Sequence, residues 1–445
     1  MADSKTQTST VLERQVLDQK GRYLQWYKVD NAGTMWSLVS RKKSPNIFRL
    51  SCTLKSAINV LDLQIALERV MERFPYFKVN LRPGFFWHYW ETNTGTPEIV
   101  AESKYPSQFI PIYNKGQFPF RVRIFQNRIA MEFHHSLTDG SGGLAFLKAL
   151  VGEYLHMRGL EVNDWQDIFR PGQTEHPNED HDSYKDNFYN YMPNPKMMAK
   201  SFQPPFSQEK VGTFNLITGI LSVKETLKIT REMKITITQL FAAIYLEALQ
   251  EVLFNIPDKY RKHYLRPIRI PIPINLRKIY PSKTMRNFTA VVNPELNPKL
   301  GKYTFEEILK IVHHVMGFEI ADKNVKQQIS RNVRGEMYPI VKYMPLFVKK
   351  VFMKIIHNIF SETAYSGKLS NIGRVTMPPE FDDEIERFDF MLGASRKITT
   401  GCGIISYKDN LIVTFGRTVK EATIEKLFFR KLVELGLKVK IESNY

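Results

Sequence analysis

The chain has 445 residues, of which 43% are hydrophobic and 24% are charged, a composition that is typical of a globular protein and excludes a disordered or fibrous one. The first twenty residues are polar, and no apolar run approaches the ~20 residues of a membrane span, so we expect neither a signal peptide nor a membrane helix. Cys52 and Cys402 stand far apart in the chain, which excludes a disulfide framework and favours a reducing cytoplasm.

The formal net charge of +18 is compatible with three kinds of partner: nucleic acid, an anionic membrane surface and a phosphorylated cosubstrate. The basic residues form no long tail, and the sequence contains no nucleic-acid-binding motif, so we expect no nucleic-acid partner. The other two partners stay open at this point.

The first part of the chain predicts strands and helices in alternation. A strand-like run at 48–54 precedes apolar residues with helical spacing at 61–74, and strand-like runs follow at 120–125 and 129–133. A helical pattern then extends to about residue 158. The sequence His-His-Ser-Leu-Thr-Asp-Gly therefore stands at a strand-to-helix turn.

Within this sequence, His134 and His135 cannot share a role, because successive side chains of a strand point to opposite faces. His135 is in phase with the apolar strand residues yet lies at the end of the strand, so it can leave the apolar face and enter a channel. A neutral imidazole can accept a proton near neutral pH. We assign His135 as a general base and His134 to orienting the loop, with a buried structural pair as the alternative.

The glycines that follow predict a close approach of backbone to ligand, and Ser141 is the predicted helix cap. The turn lacks the lysine and the spacing of a phosphate-binding P-loop. A second histidine pair, His313-His314, lies in a helical context without the Asp-Gly turn, and we interpret it as structural.

Residues 160–208 are rich in proline and predict a connector between lobes. Ligand-type residues at 175–182 have irregular spacing in a loop, so we predict no metal site there. Beyond the connector, the pattern predicts a strand at 212–223 and a helix at 222–233. A second helix follows a capping box at Thr236 and extends to about residue 253. The remaining predicted elements are an edge strand at 269–274, a helix at 305–318, a hairpin at 403–415 and a last helix at 424–435.

The segment 345–360 predicts a basic amphipathic helix. A helix that faces the protein core is the favoured interpretation, and contact with a membrane surface is its rival. In the membrane interpretation the lysines would face solvent beside neighbouring apolar residues; the six side chains concerned are Lys349, Lys350, Lys354, Phe347, Val351 and Ile355.

The pattern His-His-x-x-x-Asp-Gly before a glycine-rich helix start resembles that of the chloramphenicol acetyltransferase-like superfamily. This group includes plant BAHD acyltransferases, condensation domains of peptide synthetases, wax ester synthases and alcohol acetyltransferases. Standalone bacterial alcohol acetyltransferase-like proteins are the most similar branch, since the BAHD segment D-F-G-W-G is absent and its nearest counterpart is Asp389-Phe390-Met391-Leu392-Gly393. Further similar segments follow in the family's order: 27–33, 73–77, 81–87, 273–278, 286–288 and 369–373.

The resemblance implies an α/β fold of α+β two-layer sandwiches, with two similar lobes and an active-site channel between them. We divide the chain into an N-terminal lobe at 1–170 that carries the motif, a connector at 171–208 and a C-terminal lobe at 209–445. Asp139 is then structural and pairs with Arg277 of the second lobe. Together with the histidines and Gly140 it makes up the predicted catalytic turn.

The resemblance further implies acyl-CoA as cosubstrate, or the phosphopantetheine of an acyl carrier protein, with no permanently bound cofactor and no metal. The leading hypothesis is an acyl-CoA-dependent O-acyltransferase that acylates an alcohol. The alternatives are a condensation-type N-acyltransferase with a carrier-bound donor and a noncatalytic binding protein. We expect a cytoplasmic enzyme, with peripheral membrane contact left open.

Donors for the oxyanion are predicted among the backbone N–H groups after Asp139 and the side chains of Ser370 and Asn371. No G-x-S-x-G nucleophile elbow is present, and Cys402 between two glycines is interpreted as a packed strand residue rather than a nucleophile. We therefore predict direct transfer from thioester to acceptor without an acyl-enzyme.

Overall fold

A computed structural model describes residues 16–17, 23–194, 198–356, 363–393 and 395–444. Strands and helices alternate through these residues, and most of the strands gather into two five-stranded sheets.

The elements of the first half of the chain are β1 (Val16–Leu17), β2 (Tyr23–Leu24), β3 (Trp26–Lys28), α1 (Asn31–Val39), β4 (Ile47–Leu54), α2 (Val60–Arg73), β5 (Val79–Pro83), β6 (His88–Thr92), β7 (Ile99–Ala101), β8 (Phe120–Phe125), β9 (Arg128–His134), α3 (Gly140–Met157) and α4 (Ser183–Asp186).

The elements of the second half are β10 (Asn215–Ser222), α5 (Val223–Glu232), α6 (Ile237–Phe254), α7 (Asp258–Arg261), β11 (Ile268–Arg269), β12 (Ile272–Asn275), β13 (Thr289–Val292), β14 (Glu295–Leu296), α8 (Phe305–Glu319), α9 (Asp322–Met337), α10 (Pro339–Tyr343), α11 (Leu346–Ile356), β15 (Lys368–Val375), β16 (Ile385–Met391), β17 (Thr400–Tyr407), β18 (Asn410–Arg417), α12 (Thr423–Glu434) and β19 (Lys440–Ser443).

The first sheet has the strand order β16-β4-β9-β8-β7, with antiparallel pairs except for β7 and β8. Strand β4 is buried along all eight residues. Helix α3, against which α2 packs, covers its apolar face, and Arg49 on the other face forms buried ion pairs. Phe48, Phe133 and Phe146 form part of this core, and their burial removes large apolar surfaces from water.

The second sheet has the order β15-β17-β18-β10-β19, and α6 and α12 pack together over its core. The predicted capping box at the start of α6 is present, since Thr236 and Gln239 each bond to the other's backbone N–H. Helix α6 is the one described helix that is long and apolar enough to cross a membrane, but most of it is buried inside the protein.

The predicted α/β fold of two sandwich lobes is confirmed, and most of the predicted helices and strands lie within two residues of their expected bounds. The predicted edge strand at 269–274 is two short strands, β11 and β12, each paired with a single partner. The division at 170 and 208 stays a prediction. Strand β16, which belongs to its third segment, lies at the edge of the first sheet beside β4.

The predicted connector is packed rather than extended at Glu179, a buried residue. Its carboxylate accepts hydrogen bonds from both Nη atoms of Arg73 at 2.7 Å and from the Tyr76 hydroxyl at 2.7 Å. Its backbone carbonyl accepts from the Met285 N–H at 2.6 Å. One residue of the connector therefore bonds to the first sandwich and to a segment of the second.

Helix α11 differs from the solvent-facing arrangement that the membrane interpretation requires of its lysines. Lys349 is fully buried, with Nζ 2.8 Å from the carbonyl oxygen of Phe86 and 3.0 Å above the Trp87 ring. Lys350 is half-buried against the Tyr113 ring. The expectation that Lys349 faces solvent is therefore wrong, because an aromatic ring and a carbonyl oxygen offer its ammonium a better site than the exposed side of the helix.

Candidate active site between the two lobes

Strand β9 carries the histidine pair to the edge of the first core. Ile129, Met131 and Phe133 of β9 are buried, and His135 follows one residue after the strand ends. Its ring lies 4.7 Å from the Phe48 ring and stacks on Trp36 of α1 at 5.3 Å. His135 therefore lies on the same side as the apolar residues of β9, and its half-buried imidazole is placed between two aromatic rings.

His135 borders a cavity of about 690 Å³ between the lobes. Trp36 and His135 contribute from the first lobe, and Lys368 and Ser370 at the start of β15 contribute from the second. A third wall comes from the helices that follow β14, including Phe352 of α11. Most of the lining is apolar, so the cavity suits a substrate with a large apolar portion.

The surroundings of His135 keep its imidazole neutral. Burial among protein atoms lowers the pKa of His135 to about 4, and the positive charge of Lys368 acts in the same direction. Asp139, the Thr138 backbone and Asn287 oppose this shift. At neutral pH the ring can therefore accept a proton, which is the state that general base catalysis requires.

His134 faces away from the cavity and is fully buried. Its Nδ1 accepts a hydrogen bond from the Ser136 N–H at 3.1 Å, which leaves the proton on Nε2, 3.0 Å from the Ser40 hydroxyl. Burial lowers the pKa of His134 to about 3. These contacts link the ring to Ser136 and Ser40, and the role of His134 in orienting the loop stays a prediction.

Asp139 is the centre of a hydrogen-bond network between the lobes. Its Oδ2 lies 2.8 Å from Arg277 Nη1 and accepts the Phe288 N–H at 2.8 Å, so the structure contains the ion pair that the resemblance implies. Its Oδ1 accepts the N–H groups of Ser141 and Gly142 at 3.0 and 3.2 Å. Asp139, and not Ser141, is therefore the cap of α3, and the prediction for Ser141 is wrong.

Those two backbone N–H groups are consequently engaged in the cap, which removes them as donors to an oxyanion. A helix cap satisfies N–H groups that would otherwise have no partner in the first turn. The predicted close approach of the glycines is made to protein rather than to ligand at Gly142, where an added Cβ would lie 2.3 Å from the Met285 carbonyl oxygen. Gly140 begins α3 beside Ile372 and is not among the residues that line the cavity.

The segment 284–288 of the second lobe holds the motif loop in place, and sequence reasoning did not predict this contact. The Thr138 hydroxyl donates to the Met285 carbonyl at 2.6 Å, and Asn287 Nδ2 donates to the His135 carbonyl at 3.0 Å. Arg286 Nη1 donates to the Leu137 carbonyl at 3.3 Å. In the sequence, residues 286–288 could be singled out only by their similarity to the acyltransferase group, and that similarity does not indicate which residues the segment contacts.

The structure brings one of the two predicted side-chain donors to the cavity. Ser370 lines it, whereas Asn371 donates to the Thr238 hydroxyl at 2.9 Å and accepts the Gly373 N–H at 2.8 Å. Cys402 is fully buried in β17, as a packed strand residue would be. The described residues contain no group of three or more His, Cys, Asp or Glu side chains that could hold a metal ion.

Lys368 is a cavity residue that the sequence did not single out. Its Nζ donates to the Gly393 carbonyl at 2.6 Å, and its side chain crosses Gly401, where an added Cβ would lie 2.9 Å from the Lys368 Cε. A side chain at position 401 would displace this lysine. The glycine therefore leaves room for a lysine whose positive charge is close enough to His135 to lower the pKa of that histidine.

No protein-family model and no curated protein matches the chain in sequence. Many solved structures share its fold, and three of them illustrate the range. TRI3, a trichothecene 15-O-acetyltransferase of Fusarium sporotrichioides, is 12% identical with a TM-score of 0.58, over 94% of this chain and 96% of that one. An epimerization domain of tyrocidine synthetase B is 10% identical with a TM-score of 0.59, over 94% and 98%. TRI101 of F. sporotrichioides, solved with coenzyme A and T-2, is 9% identical with a TM-score of 0.56, over 95% and 100%.

These similarities extend over almost the whole chain and confirm the two-lobed α/β fold that the resemblance implied. Identities of this size show the fold alone. A proposal about its chemistry must therefore rest on the cavity and on the histidine that borders it.

Proposed function

We propose that this protein is an acyltransferase that moves an acyl group from the thioester of acyl-CoA to a hydroxyl, with His135 as general base. The observation that carries the proposal is the position of His135: a neutral imidazole at the border of a large, mostly apolar cavity between two lobes. Similarity to TRI3 and TRI101, which are described as an acetyltransferase and as a complex with coenzyme A, supports the reaction class.

In the proposed reaction, His135 accepts the proton of the acceptor hydroxyl as its oxygen attacks the thioester carbonyl. The resulting oxyanion is stabilised by donors already held in place, for which Ser370 and the ammonium of Lys368 are the candidates in the cavity wall. Collapse of the tetrahedral intermediate breaks the carbon–sulfur bond, and the imidazolium returns its proton to the departing sulfur. The products are an ester and free coenzyme A, without an acyl-enzyme.

A condensation-type reaction is the second candidate, with an amine acceptor and an acyl group on the phosphopantetheine of a carrier protein. The similarity to a peptide-synthetase domain favours keeping it. Both reactions need the same base and differ in donor and acceptor. We propose the CoA-dependent reaction in the cytoplasm as the first to test.

The test is release of free thiol from acyl-CoA of several chain lengths in the presence of panels of alcohols and amines. We expect release that depends on an alcohol and is lost in His135→Ala. Activity with amines and acyl carrier protein alone would favour the condensation reaction. Absence of transfer with every donor and acceptor would favour a noncatalytic binding protein and overturn the proposal.

A further inference from the structure

Helices α10 and α11 expose an apolar surface that no described element covers. Phe347, Val351 and Ile355 recur every four residues on α11 and are 74%, 61% and 52% exposed. Ile340 and Tyr343 of α10 are 74% and 62% exposed. We call this surface, together with Phe85, which is 73% exposed on the turn between β5 and β6, the outer face.

The outer face is continuous across these three elements. The Leu346 N–H at the start of α11 donates to the Phe85 carbonyl at 2.9 Å. Phe86 lies between them, with its ring 4.7 Å from that of Phe85 and 6.1 Å from that of Tyr343. A surface of grouped aromatic and branched side chains is uncommon on a soluble protein and marks a site of interaction.

The opposite side of α11 belongs to the candidate active site. Met353 packs with Leu346 against α1, and α1 carries the Trp36 ring that stacks on His135. Phe352 and Tyr338 line the cavity, yet 45% and 47% of their surfaces are exposed. The cavity therefore reaches the protein surface beside the outer face.

The segment that forms α10 and α11 is basic. Residues 337–356 include four lysines and no aspartate or glutamate. Lys342 and Lys354 are exposed, while Lys349 and Lys350 turn inward. Exposed apolar side chains bordered by lysines are the arrangement of segments that lie at the surface of an anionic bilayer, where the apolar groups enter the interface and the ammonium groups meet the head groups.

We propose that the outer face binds an anionic lipid bilayer, so that a lipophilic acceptor or acyl chain passes between the bilayer and the cavity without crossing water. The proposal deepens the proposed function, on which its substrate class rests, but the binding itself does not depend on catalysis. Membrane contact here comes from the apolar residues of α10 and α11, with the exposed lysines in a supporting role.

The test uses sedimentation of the full chain with phosphatidylcholine vesicles, with and without 30% phosphatidylglycerol, at low and high salt. We expect binding to the anionic vesicles that weakens with salt. The double variant Phe347→Glu/Val351→Glu should bind at least ~10-fold more weakly, because it places two carboxylates in the interface. Phe318→Glu is the matched control, since Phe318 is 70% exposed on α8 and should leave binding unchanged.

Transfer to a short, water-soluble alcohol in the absence of vesicles separates the two proposals. The double variant should retain wild-type transfer in that assay and lose it selectively with a vesicle-bound acceptor. Binding without any transfer would remove the proposed function and leave the membrane surface intact. The membrane proposal is overturned if the wild-type protein stays in the supernatant with both vesicle types, or if light scattering shows a dimer that Phe347→Glu/Val351→Glu dissociates, since a second copy would then cover the outer face.

Discussion

The loop 134–142 and helices α10 and α11 border the same cavity but are held in different ways. Buried polar groups hold the loop to the second lobe: the Asp139–Arg277 ion pair and hydrogen bonds to the segment 284–288. The helices rest mainly on apolar contacts with α1 and on two backbone carbonyls of the turn before β6, and they leave a row of large side chains exposed.

This difference in packing indicates different roles for the loop 134–142 and for helices α10 and α11. Proton transfer needs an imidazole held within hydrogen-bond reach of its partner, and a network of buried hydrogen bonds supplies that fixed geometry. A bulky apolar substrate can enter only if part of the cavity wall moves. A segment held by fewer hydrogen bonds and ion pairs opens at a smaller free-energy cost. We infer that chemistry is set by the loop and substrate admission by the helices.

The largest effect is expected on stability, from Asp139 and Arg277. Asp139→Ala removes four hydrogen-bond acceptances and leaves a half-buried guanidinium without its ion partner, so the free energy of unfolding should fall by about 3–5 kcal/mol. Arg277→Ala should cost less, because three N–H groups still solvate the carboxylate. Denaturant unfolding of both single variants and the double variant measures the coupling.

A coupling energy below about 0.5 kcal/mol would contradict a fixed loop. The pair Arg158 and Asp62 provides the comparison, with a distance of 3.1 Å and with 48% and 31% of the two side chains exposed. Breaking that pair should cost less than about 1 kcal/mol.

His135→Ala should lower kcat by at least about 10²-fold, which corresponds to about 2.7 kcal/mol of transition-state stabilisation. The melting temperature should change little, since the ring borders a cavity. His314→Ala is the control, because that histidine belongs to the second pair and is exposed on α8. Turnover near that of the wild type in His135→Ala would show that another group accepts the proton.

Lys368→Met should lower kcat by about 10-fold and shift the pH profile. With the pKa of His135 at about 4, the wild-type base is protonated, and kcat/KM falls, only as the pH drops towards 4. Removal of the nearby positive charge raises the pKa of His135, so the acid limb of kcat/KM should move to higher pH. Lys368→Arg keeps the positive charge, so its acid limb of kcat/KM should stay at the wild-type pH. If the acid limb does not move in Lys368→Met either, the lysine has a purely structural role.

The smallest effect is expected in the helical wall. Phe352→Ala removes an apolar side chain from the cavity mouth, so KM for a bulky lipophilic acceptor should rise about 3–10-fold while kcat stays within about twofold. KM for ethanol should not change. A large loss of kcat with both acceptors would mean that this wall also fixes the reacting atoms.

The sequence indicated the loop well because its information is local. Strand alternation separates His134 from His135, and the motif identifies the group in which an aspartate pairs with a distant arginine. Lys368 was not predictable, because its position depends on Gly401 and on the Gly393 carbonyl, which only the folded sheet brings beside it. The direction of Lys349 was missed for the same reason: the Trp87 ring that receives it is remote in sequence.

Strand β16 has a consequence for synthesis of the chain. The edge of the first sheet beside β4 stays open until Ile385–Met391 has been made, although every other strand of that sheet precedes residue 135. An open edge on a fully buried eight-residue strand is a template for pairing with another chain. A nascent polypeptide therefore carries an incomplete sheet through most of translation, and we expect the first lobe to aggregate when it is expressed without residues 385–391.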